Sequence, residues 1–344
     1  MDNKNILNFN FLLCVSNFRL LKTIFAIKKI IMPFSAFRGM KPLSQLMFSI
    51  FVIFAGFLAF LVISLVIAIP LFGVDSMLSI PTINDLNNPE SIRFLKYFQV
   101  VQSIGVFIIP PFILGWLFNG NAADYLSLNK KVTFASVLLV MVMSFAASPF
   151  VNFIGEMNAN MLLPDWLSGV ENWMKNAEEN AAELTEAFLK VGSLGGLLFN
   201  IFMVAFLPAI GEELLFRGVI QRIFTNWTKN IHWGIWITAI LFSAMHMQFY
   251  GFVPRMFLGV LFGYLLVWSG SMWLPIIAHF INNGVAVVAM YMIDKKLLAP
   301  DIEEIGSTTD SYYMAAISFV LIVVFMFMIK RQNSEVDPEI RHSK

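Results

Sequence analysis

The sequence predicts an all-α protein, a polytopic membrane helical bundle of about eight transmembrane helices. Hydrophobic residues make up 58% of the 344 residues and charged residues only 13%, whereas average soluble chains carry about 25% charged residues. Apolar runs longer than the ~18 residues that a spanning helix needs recur along the chain. The single cysteine, Cys14, excludes an internal disulfide, so helix packing must hold the fold together.

Eight apolar segments with few charges give the predicted helices. They are 46–72, 98–118, 132–153, 193–224, 232–250, 255–270, 272–293 and 312–329. Only Gly270 and Ser271 separate the sixth from the seventh segment, which predicts that these two helices are antiparallel neighbours. Pro110, Pro111 and Pro208 are expected to kink the second and fourth helices, because proline removes a helical hydrogen bond and clashes with the preceding turn.

The distribution of basic residues predicts the orientation in the membrane. With the N-terminus inside, 16 of the 23 lysines and arginines lie on the cytoplasmic side and seven lie outside. The cytoplasmic segments in this count are 1–45, 119–131, 217–230 and 330–344. Because short cytoplasmic loops carry the excess of Lys and Arg, we expect both termini in the cytoplasm. The predicted location is a bacterial-type inner (cell) membrane, spanned several times.

The two ends of the chain are predicted to lie outside the bundle. In residues 1–45 basic residues alternate with apolar ones, which is typical of an interfacial segment on an anionic inner leaflet. A signal peptide is not expected, because basic residues follow the apolar run and no small-residue cleavage pattern appears. Met32 or Met40 is an alternative start. Residues 331–344 are predicted to form a polar C-terminal tail.

The long loop 154–190 is strongly acidic. It contains seven acidic residues and only two lysines, Lys175 and Lys190. Apolar residues recur at intervals of three and four from about Pro164 to Lys190, which predicts an amphipathic helix over the outer face of the bundle. Two interpretations stay open for this helix, namely a solvated structural cap and a lid that gates access of substrate.

Three ionisable residues, Glu212, Glu213 and Arg217, interrupt the apolar fourth segment. Each costs at least ~2.5 kcal/mol in hydrocarbon, so such residues usually face a polar cavity and mark a functional site. Glu213 and Arg217 are four residues apart and therefore share a helix face, in the favourable order for an ion pair. Glu212 points about 100° away, which leaves it free to act on another group.

Two histidines and an asparagine in later segments supply further polar groups. Glu212 and His246 each lie roughly 20 Å from the cytoplasmic ends of their helices, so they can meet. His279 lies only about 10 Å above the turn at Gly270, so helix tilt or a cavity must bring it in. His279 and Asn283 share a helix face and can donate hydrogen bonds to an oxyanion. A glutamate with a histidine suits a general base that deprotonates water.

Three motifs carry a resemblance to a known family. Glu-Glu-xxx-Arg at 212–217, Phe-xxx-His at 242–246 and His-xxx-Asn at 279–283 resemble, in order and spacing, the motifs of the CPBP family of intramembrane proteases. This family includes CAAX prenyl endopeptidases and bacteriocin-processing or self-immunity proteins. The resemblance covers about residues 190–295. It implies an eight-helix membrane protease domain, 46–330 here, with a catalytic cavity that is open toward the cytoplasm.

The resemblance also implies a role for each matched residue. Glu212 and His246 would activate water, and His279 and Asn283 would stabilise the oxyanion. The supporting residues would be Glu213, Arg217 and Phe242. Glu212, His246 and His279 are also the ligand types of a catalytic zinc site. No cofactor is favoured, and zinc bound by these three residues is the alternative.

The leading hypothesis is an intramembrane endopeptidase that hydrolyses membrane-associated peptides or proteins. Its expected partners are this substrate and the lipid bilayer, without nucleic acid. One alternative is a non-catalytic membrane immunity or scaffold protein, whose buried polar cluster only fixes helix register. Another is a proton-coupled transporter, since buried acids and histidines also build proton relays. No paired broken helices or inverted repeat are visible in the sequence, which counts against transport.

Overall fold

The computed structural model describes residues 35–74 and 86–336. In these two ranges the regular elements are helices, and no β-strand occurs, so the predicted all-helical class is confirmed. Most of the predicted interfacial segment, residues 1–34, lies outside the described residues. The end of the predicted tail, residues 337–344, does so as well.

The helices of the described residues differ in their ability to cross a bilayer. In chain order they are α1 (Pro42–Phe72), α2 (Pro89–Asn119), α3 (Ala122–Tyr125), α4 (Phe134–Ala146), α5 (Ser148–Ala159), α6 (Ser168–Leu189), α7 (Leu194–Thr228), α8 (Ile231–Met245), α9 (Phe252–Ser269), α10 (Trp273–Asp294) and α11 (Tyr312–Val336). By length and composition, α1, α2, α7, α9, α10 and α11 can span a membrane. Helices α4 and α5, bent by 43°, give a seventh span if they are counted together. The protein is thus a multi-pass membrane protein.

Each of the eight predicted segments overlaps at least one of these helices, and the third overlaps both α4 and α5. The predicted number of spans is therefore approximately right. The difference lies in α8, which is apolar but has only 15 residues, fewer than the roughly 20 that cross a bilayer. The fifth segment was expected to stay helical to residue 250. Instead the α-helix ends at Met245, and Met247 adopts a left-handed backbone with φ 54°. Helix α8 therefore ends just before His246, which is half-buried.

Helix α7 is the central element, and its partners approach it closely. At Gly211 an added Cβ would lie 2.6 Å from Cβ of Phe107 in α2. At Gly218 it would lie 2.6 Å from Leu126 and 3.3 Å from Met272. Only glycine permits these approaches, because any side chain would overlap its neighbours. The turn before α10 is thereby held against the middle of α7.

Three π-helical segments occur in the two long helices α2 and α7. They are Ile104–Ile108, Ile201–Phe206 and Phe216–Ile220. The first lies just before Pro110 and the second just before Pro208. Proline has no backbone N–H for the helical hydrogen bond, and its ring clashes with the preceding turn. The widened turn before each proline accommodates both effects. The α-helical stretch Leu207–Leu215, which carries the two glutamates, thus lies between two π segments.

The acidic loop forms the amphipathic helix α6, as the spacing of its apolar residues predicted. Its C-terminal end is fastened by Asn200, which is fully buried in α7 and donates from Nδ2 to the carbonyls of Phe188 (2.9 Å) and Leu189 (3.3 Å). Lys96 of α2 donates to Oδ1 of the same asparagine at 3.0 Å. These bonds satisfy carbonyls at the end of α6 that have no partner within the helix.

Candidate active site

The buried ion pair in α7 is formed by Glu213 and Arg217. Arg217 Nη1 donates to Glu213 Oε1 at 2.8 Å, and neither side chain is exposed. Arg217 Nη2 also donates to the carbonyl of Gly259 at 3.2 Å. The guanidinium lies over the rings of Phe242, at 4.6 Å, and Phe262, at 5.4 Å. The charge of Arg217 is thus balanced by one carboxylate and by two aromatic faces, which attract cations.

His279 lies between the two glutamates. Its Nδ1 is 2.8 Å from Glu213 Oε1, and its Nε2 is 3.8 Å from Glu212 Oε2. An ionised carboxylate only accepts hydrogen bonds, so Nδ1 carries the proton that is donated to Glu213. In the neutral ring Nε2 then presents a lone pair toward Glu212. The distance of 3.8 Å is too long for a direct hydrogen bond, but one small donor placed between the two atoms can reach both.

The glutamates differ in exposure as well as in direction. Glu213 is fully buried, whereas the Glu212 side chain is 13% exposed. The Oε1 atom of Glu213 serves both Arg217 and His279, and its Oε2 atom is buried without a hydrogen-bond partner. Glu212 has no such ion pair with Arg217. Glu213 is therefore occupied by its bonds to Arg217 and His279, and Glu212 is the carboxylate that can contact a substrate or water.

His246 follows the last residue of α8, and its orientation is fixed by its own helix. Its Nδ1 lies 2.9 Å from the carbonyl oxygen of Phe242, so Nδ1 carries a proton and Nε2 is left as the acceptor. The Phe242 ring contacts the rings of His246 (5.0 Å between centroids) and His279 (6.1 Å). Arg217 also lies over this ring, so Phe242 contacts His246, His279 and Arg217.

The structure explains how residues at different heights in their helices meet. In α8, Gly234 lies against Thr225 and the ring of Phe242 against that of Phe216 at 5.2 Å. Helices α7 and α8 are antiparallel, so the continuation of this register by one turn places His246 level with the glutamates. The predicted convergence of Glu212 and His246 in depth agrees with this register.

His279 reaches the glutamates because the turn before α10 does not lie at the cytoplasmic end of α7. Met272 lies opposite Gly218, and Asn283 opposite Val204. The turn is therefore about ten residues, or roughly 15 Å, from the end of α7 at Thr228. His279 lies only about 10 Å above the turn, and the roughly 15 Å between the turn and the end of α7 bring it to the level of the glutamates.

Asn283 lies one turn beyond His279 on the same helix. Its Nδ2 donates to the carbonyl of Val204 at 3.1 Å, and its Oδ1 accepts from Asn282 at 3.3 Å. The carbonyl of Val204 belongs to the π segment Ile201–Phe206. A carboxamide has two N–H donors, so the bond to Val204 leaves one for another partner. The role of Asn283 toward an oxyanion stays a prediction.

The described residues were also compared with the requirements of a metal site. In residues 35–74 and 86–336, no three His, Cys, Asp or Glu side chains are grouped closely enough to hold a metal ion. Glu212 and His279 offer two ligand atoms 3.8 Å apart. A catalytic zinc site has three protein ligands. As placed, the side chains of Glu212, His246 and His279 do not form such a set.

One residue of the site was missed by the sequence analysis. Phe262 of α9 stacks on the His279 ring, with centroids 5.3 Å apart and planes inclined by 23°, and also lies under Arg217. The sequence gives only a weak signal for it. Phe262 lies one turn after Gly259 and next to Gly263, where a small-xxx-small pair predicts close helix contact.

Comparisons with known proteins concern the part of the chain that carries the site. Residues 194–285 match the model of the family described as type II CAAX prenyl endopeptidase, Rce1-like. This range includes all three motifs, so the predicted resemblance is confirmed there. No solved structure shows a significant match to the chain.

Three relatives match the chain over similar lengths. The uncharacterized protein YpbD of Bacillus subtilis is 31% identical over 90 residues, which are 25% of this chain and 43% of the relative. The membrane-embedded CAAX protease MroQ of Staphylococcus aureus is 33% identical over 94 residues, 26% and 38% of the two chains. An uncharacterized 24.3 kDa protein of Escherichia coli is 29% identical over 93 residues, 25% and 42%. The chain thus spans less than half the length of each.

Proposed function

We propose that the protein is an intramembrane endopeptidase, because its residues 194–285 match the model of the Rce1-like family of type II CAAX prenyl endopeptidases. The observation that carries the proposal is the cluster in which His279 contacts Glu213 and faces Glu212. A purely structural role would require only that the buried polar groups form hydrogen bonds and ion pairs with one another. Here Glu212 stays outside the ion pair and faces His279 Nε2, so a water molecule can lie between them. This is the arrangement that a general base acting on water requires.

The chemistry begins with a water held by Glu212. The Glu212 carboxylate takes a proton from this water, and the hydroxide oxygen forms a bond to the carbonyl carbon of the peptide. Electrons of the carbonyl π bond move to its oxygen, which becomes the oxyanion. The general base contributes about 100- to 10,000-fold to such a step. His246, whose Nε2 is an acceptor, assists in orienting the water.

His279 acts in the same step through Nε2. Because Nδ1 donates to Glu213, Nε2 can donate to an oxyanion only after it has gained a proton. We infer that the proton taken by Glu212 is passed to Nε2, which then becomes a donor. The negative charge of Glu213, which also forms the ion pair with Arg217, stabilises the resulting imidazolium. The electron pair on the oxyanion then re-forms the carbonyl π bond, the peptide C–N bond breaks, and the leaving amine takes the proton from His279 Nε2, which completes hydrolysis.

The proposed substrate is a membrane-associated peptide or protein. Glu212, His246 and His279 lie on or at the end of apolar helices, so we expect a substrate that is anchored in the bilayer to reach them without leaving the lipid. Purified protein in liposomes, incubated with membrane-anchored peptides, tests this proposal by mass spectrometry of the products. New peptide termini that appear with the wild type and not with Glu212→Gln support it, and intact peptides in both samples contradict it.

The proposed orientation places both termini in the cytoplasm of a bacterial-type cell and gives a direct test of the membrane topology. Reporters fused at Asn176 in α6 and at Thr308 before α11 are expected to lie outside. With α4 and α5 counted as one span, and α8 with the residues up to Gly251 counted as another, three spans precede Asn176 and seven precede Thr308. A reporter after Arg331 is expected in the cytoplasm. Activity of alkaline phosphatase and fluorescence of a cytoplasmic reporter distinguish the two sides. A cytoplasmic Asn176 would overturn the orientation.

The requirement for metal separates two mechanisms. We propose a metal-free reaction, in which His279→Gln keeps measurable activity because a carboxamide still donates a hydrogen bond to the oxyanion. Glutamine cannot carry the proton, so in this variant Glu212 has to return it directly to the leaving amine. Loss of one such donor typically lowers the rate ~100- to 1,000-fold. We expect the wild type to remain active in strong chelator, without stoichiometric zinc by elemental analysis. One tightly bound zinc per chain, lost together with activity and restored with it, would contradict this mechanism and leave the peptidase assignment intact.

A further inference from the structure

The segment that follows His246 is held by residues from two other helices. Asn158 of α5, which is only 5% exposed, donates from Nδ2 to the carbonyl of Phe249 at 3.1 Å. Its Oδ1 accepts from the amide of Val253 at 2.7 Å. Glu178 of α6 accepts from the amide of Tyr250 at 3.2 Å. Both side chains thus bond to the backbone, whose path they fix whatever side chains the segment carries.

This segment needs such support, because its backbone is strained next to His246. Met247 has a φ of 54°, in the left-handed region, which is sterically unfavourable for a residue other than glycine. Such conformations persist where the surrounding structure imposes them, and they cluster at functional sites. The strained residue is adjacent to the proposed catalytic histidine, so release of the segment would shift the imidazole directly.

Residues of α8 and α9 on the inner side of the segment, and a residue of α6 on its outer side, make further contacts with it. Ser243 of α8 donates to the carbonyl of Phe252 at 2.6 Å. Arg255 of α9 donates to Gln248 through two nitrogens, at 2.9 Å to its backbone carbonyl and at 2.7 Å to its side-chain oxygen. On the outer side, the ring of Trp173 in α6 packs on Phe249 at 5.1 Å between centroids. Helix α6 thus contacts the segment through both a ring and a carboxylate.

We propose that Asn158 and Glu178 are positioning residues, which hold the segment Met247–Gly251 so that His246 Nε2 points into the active site. We call the hydrogen bonds from Asn158 and Glu178 to this segment the clamp. The proposal rests on the proposed peptidase function, because it gives the clamp a purpose in catalysis. It also gives the acidic outer helix α6 a role beyond that of a cap. A change in the position of α6 would be passed to His246 through the Tyr250 amide.

The chain offers a matched set of variants of the outer helix. Glu178→Ala removes the acceptor of the Tyr250 amide, whereas Glu178→Gln keeps an oxygen that can accept the same bond. Glu179→Ala, in the neighbouring and exposed residue, changes the charge of α6 equally without touching the segment. Asn158→Ala removes both bonds from α5. Because Asn158 is buried, the Glu178 variants carry the test even where Asn158→Ala does not fold.

Two readouts on the full-length protein in liposomes test the proposal. Hydrogen–deuterium exchange of the peptide 246–254 reports the clamp itself, and cleavage of a membrane-anchored peptide reports kcat and KM. In Glu178→Ala we expect exchange at the Tyr250 amide to become on the order of 10-fold faster and kcat to fall by about 10-fold, as for loss of a hydrogen bond to a charged group. KM should stay within about twofold. Glu178→Gln and Glu179→Ala should both behave like the wild type.

The two proposals fail in different ways. Unchanged exchange and kcat in Glu178→Ala, or an equal loss in Glu179→Ala, would overturn the positioning role. So would a fall in kcat without faster exchange, because the effect would then not pass through the segment. If the wild type cleaves no peptide, the proposed function fails and the catalytic purpose of the clamp fails with it, whereas exchange still shows whether the clamp exists.

Discussion

Replacement of Glu212 by glutamine is expected to give a folded protein that no longer cleaves peptides. The amide keeps the shape of the carboxylate but cannot take a proton from water, and general-base catalysis contributes about 100- to 10,000-fold. The fold should tolerate the change, because Glu212 is outside the Glu213–Arg217 ion pair and its distance of 3.8 Å from His279 Nε2 is too long for a direct hydrogen bond. Initial rates of cleavage and the melting temperature in detergent measure the two effects separately.

Glu183→Gln is the matched control for this prediction, because Glu183 is exposed on α6 and remote from the glutamate pair in sequence. Its rate and melting temperature should equal those of the wild type. Normal cleavage by Glu212→Gln would remove the general base from the mechanism. A large fall in the melting temperature of Glu212→Gln would instead assign Glu212 a structural role.

Replacement of the neighbouring Glu213 by glutamine is expected to damage the fold first. Glu213 Oε1 accepts from both Arg217 and His279, and the side chains of Glu213 and Arg217 have no exposed surface. Removal of one partner of a buried ion pair leaves an uncompensated charge, which costs about 3–5 kcal/mol. Yield from membranes and the free energy of unfolding should therefore fall in Glu213→Gln, and not in Glu212→Gln.

A second substitution separates charge from shape. Arg217→Met added to Glu213→Gln removes the stranded cation, so we expect the double variant to recover part of the lost stability. Replacement of both members of a buried pair is often neutral. A Glu213→Gln protein that melts like the wild type would show that Arg217 finds another counter-charge, and the bracing role of Glu213 would be wrong.

Much of the bundle could be predicted because hydrophobic runs and helix geometry are local properties of the sequence. The apolar segments located each spanning helix, although α2 begins at Pro89, nine residues before the predicted start at residue 98. The spacing of four residues predicted the pair of Glu213 with Arg217, and the 3.6-residue turn predicted that Glu212 would face elsewhere. The interval of three and four in the acidic loop likewise predicted α6, which begins at Ser168 and ends at Leu189.

The contacts between helices could not be predicted from these local rules. His279 was expected as an oxyanion donor, and nothing in the sequence indicates that its Nδ1 bonds to Glu213, 66 residues away. That bond decides which ring nitrogen is free, and so it changes how His279 can act. The early end of α8 was also missed, because the apolar run continues through Met247 and conceals the turn there.

We propose that Glu212 makes this membrane protein a peptidase. Quantitative mass spectrometry of protein termini tests it most directly, in membranes of cells that carry either the wild type or Glu212→Gln at equal abundance. The account predicts that a small set of membrane-associated precursors stays uncleaved in the Glu212→Gln cells, and that their new termini appear only with the wild type. Identical termini in both kinds of cell, with both proteins folded and present, would contradict it.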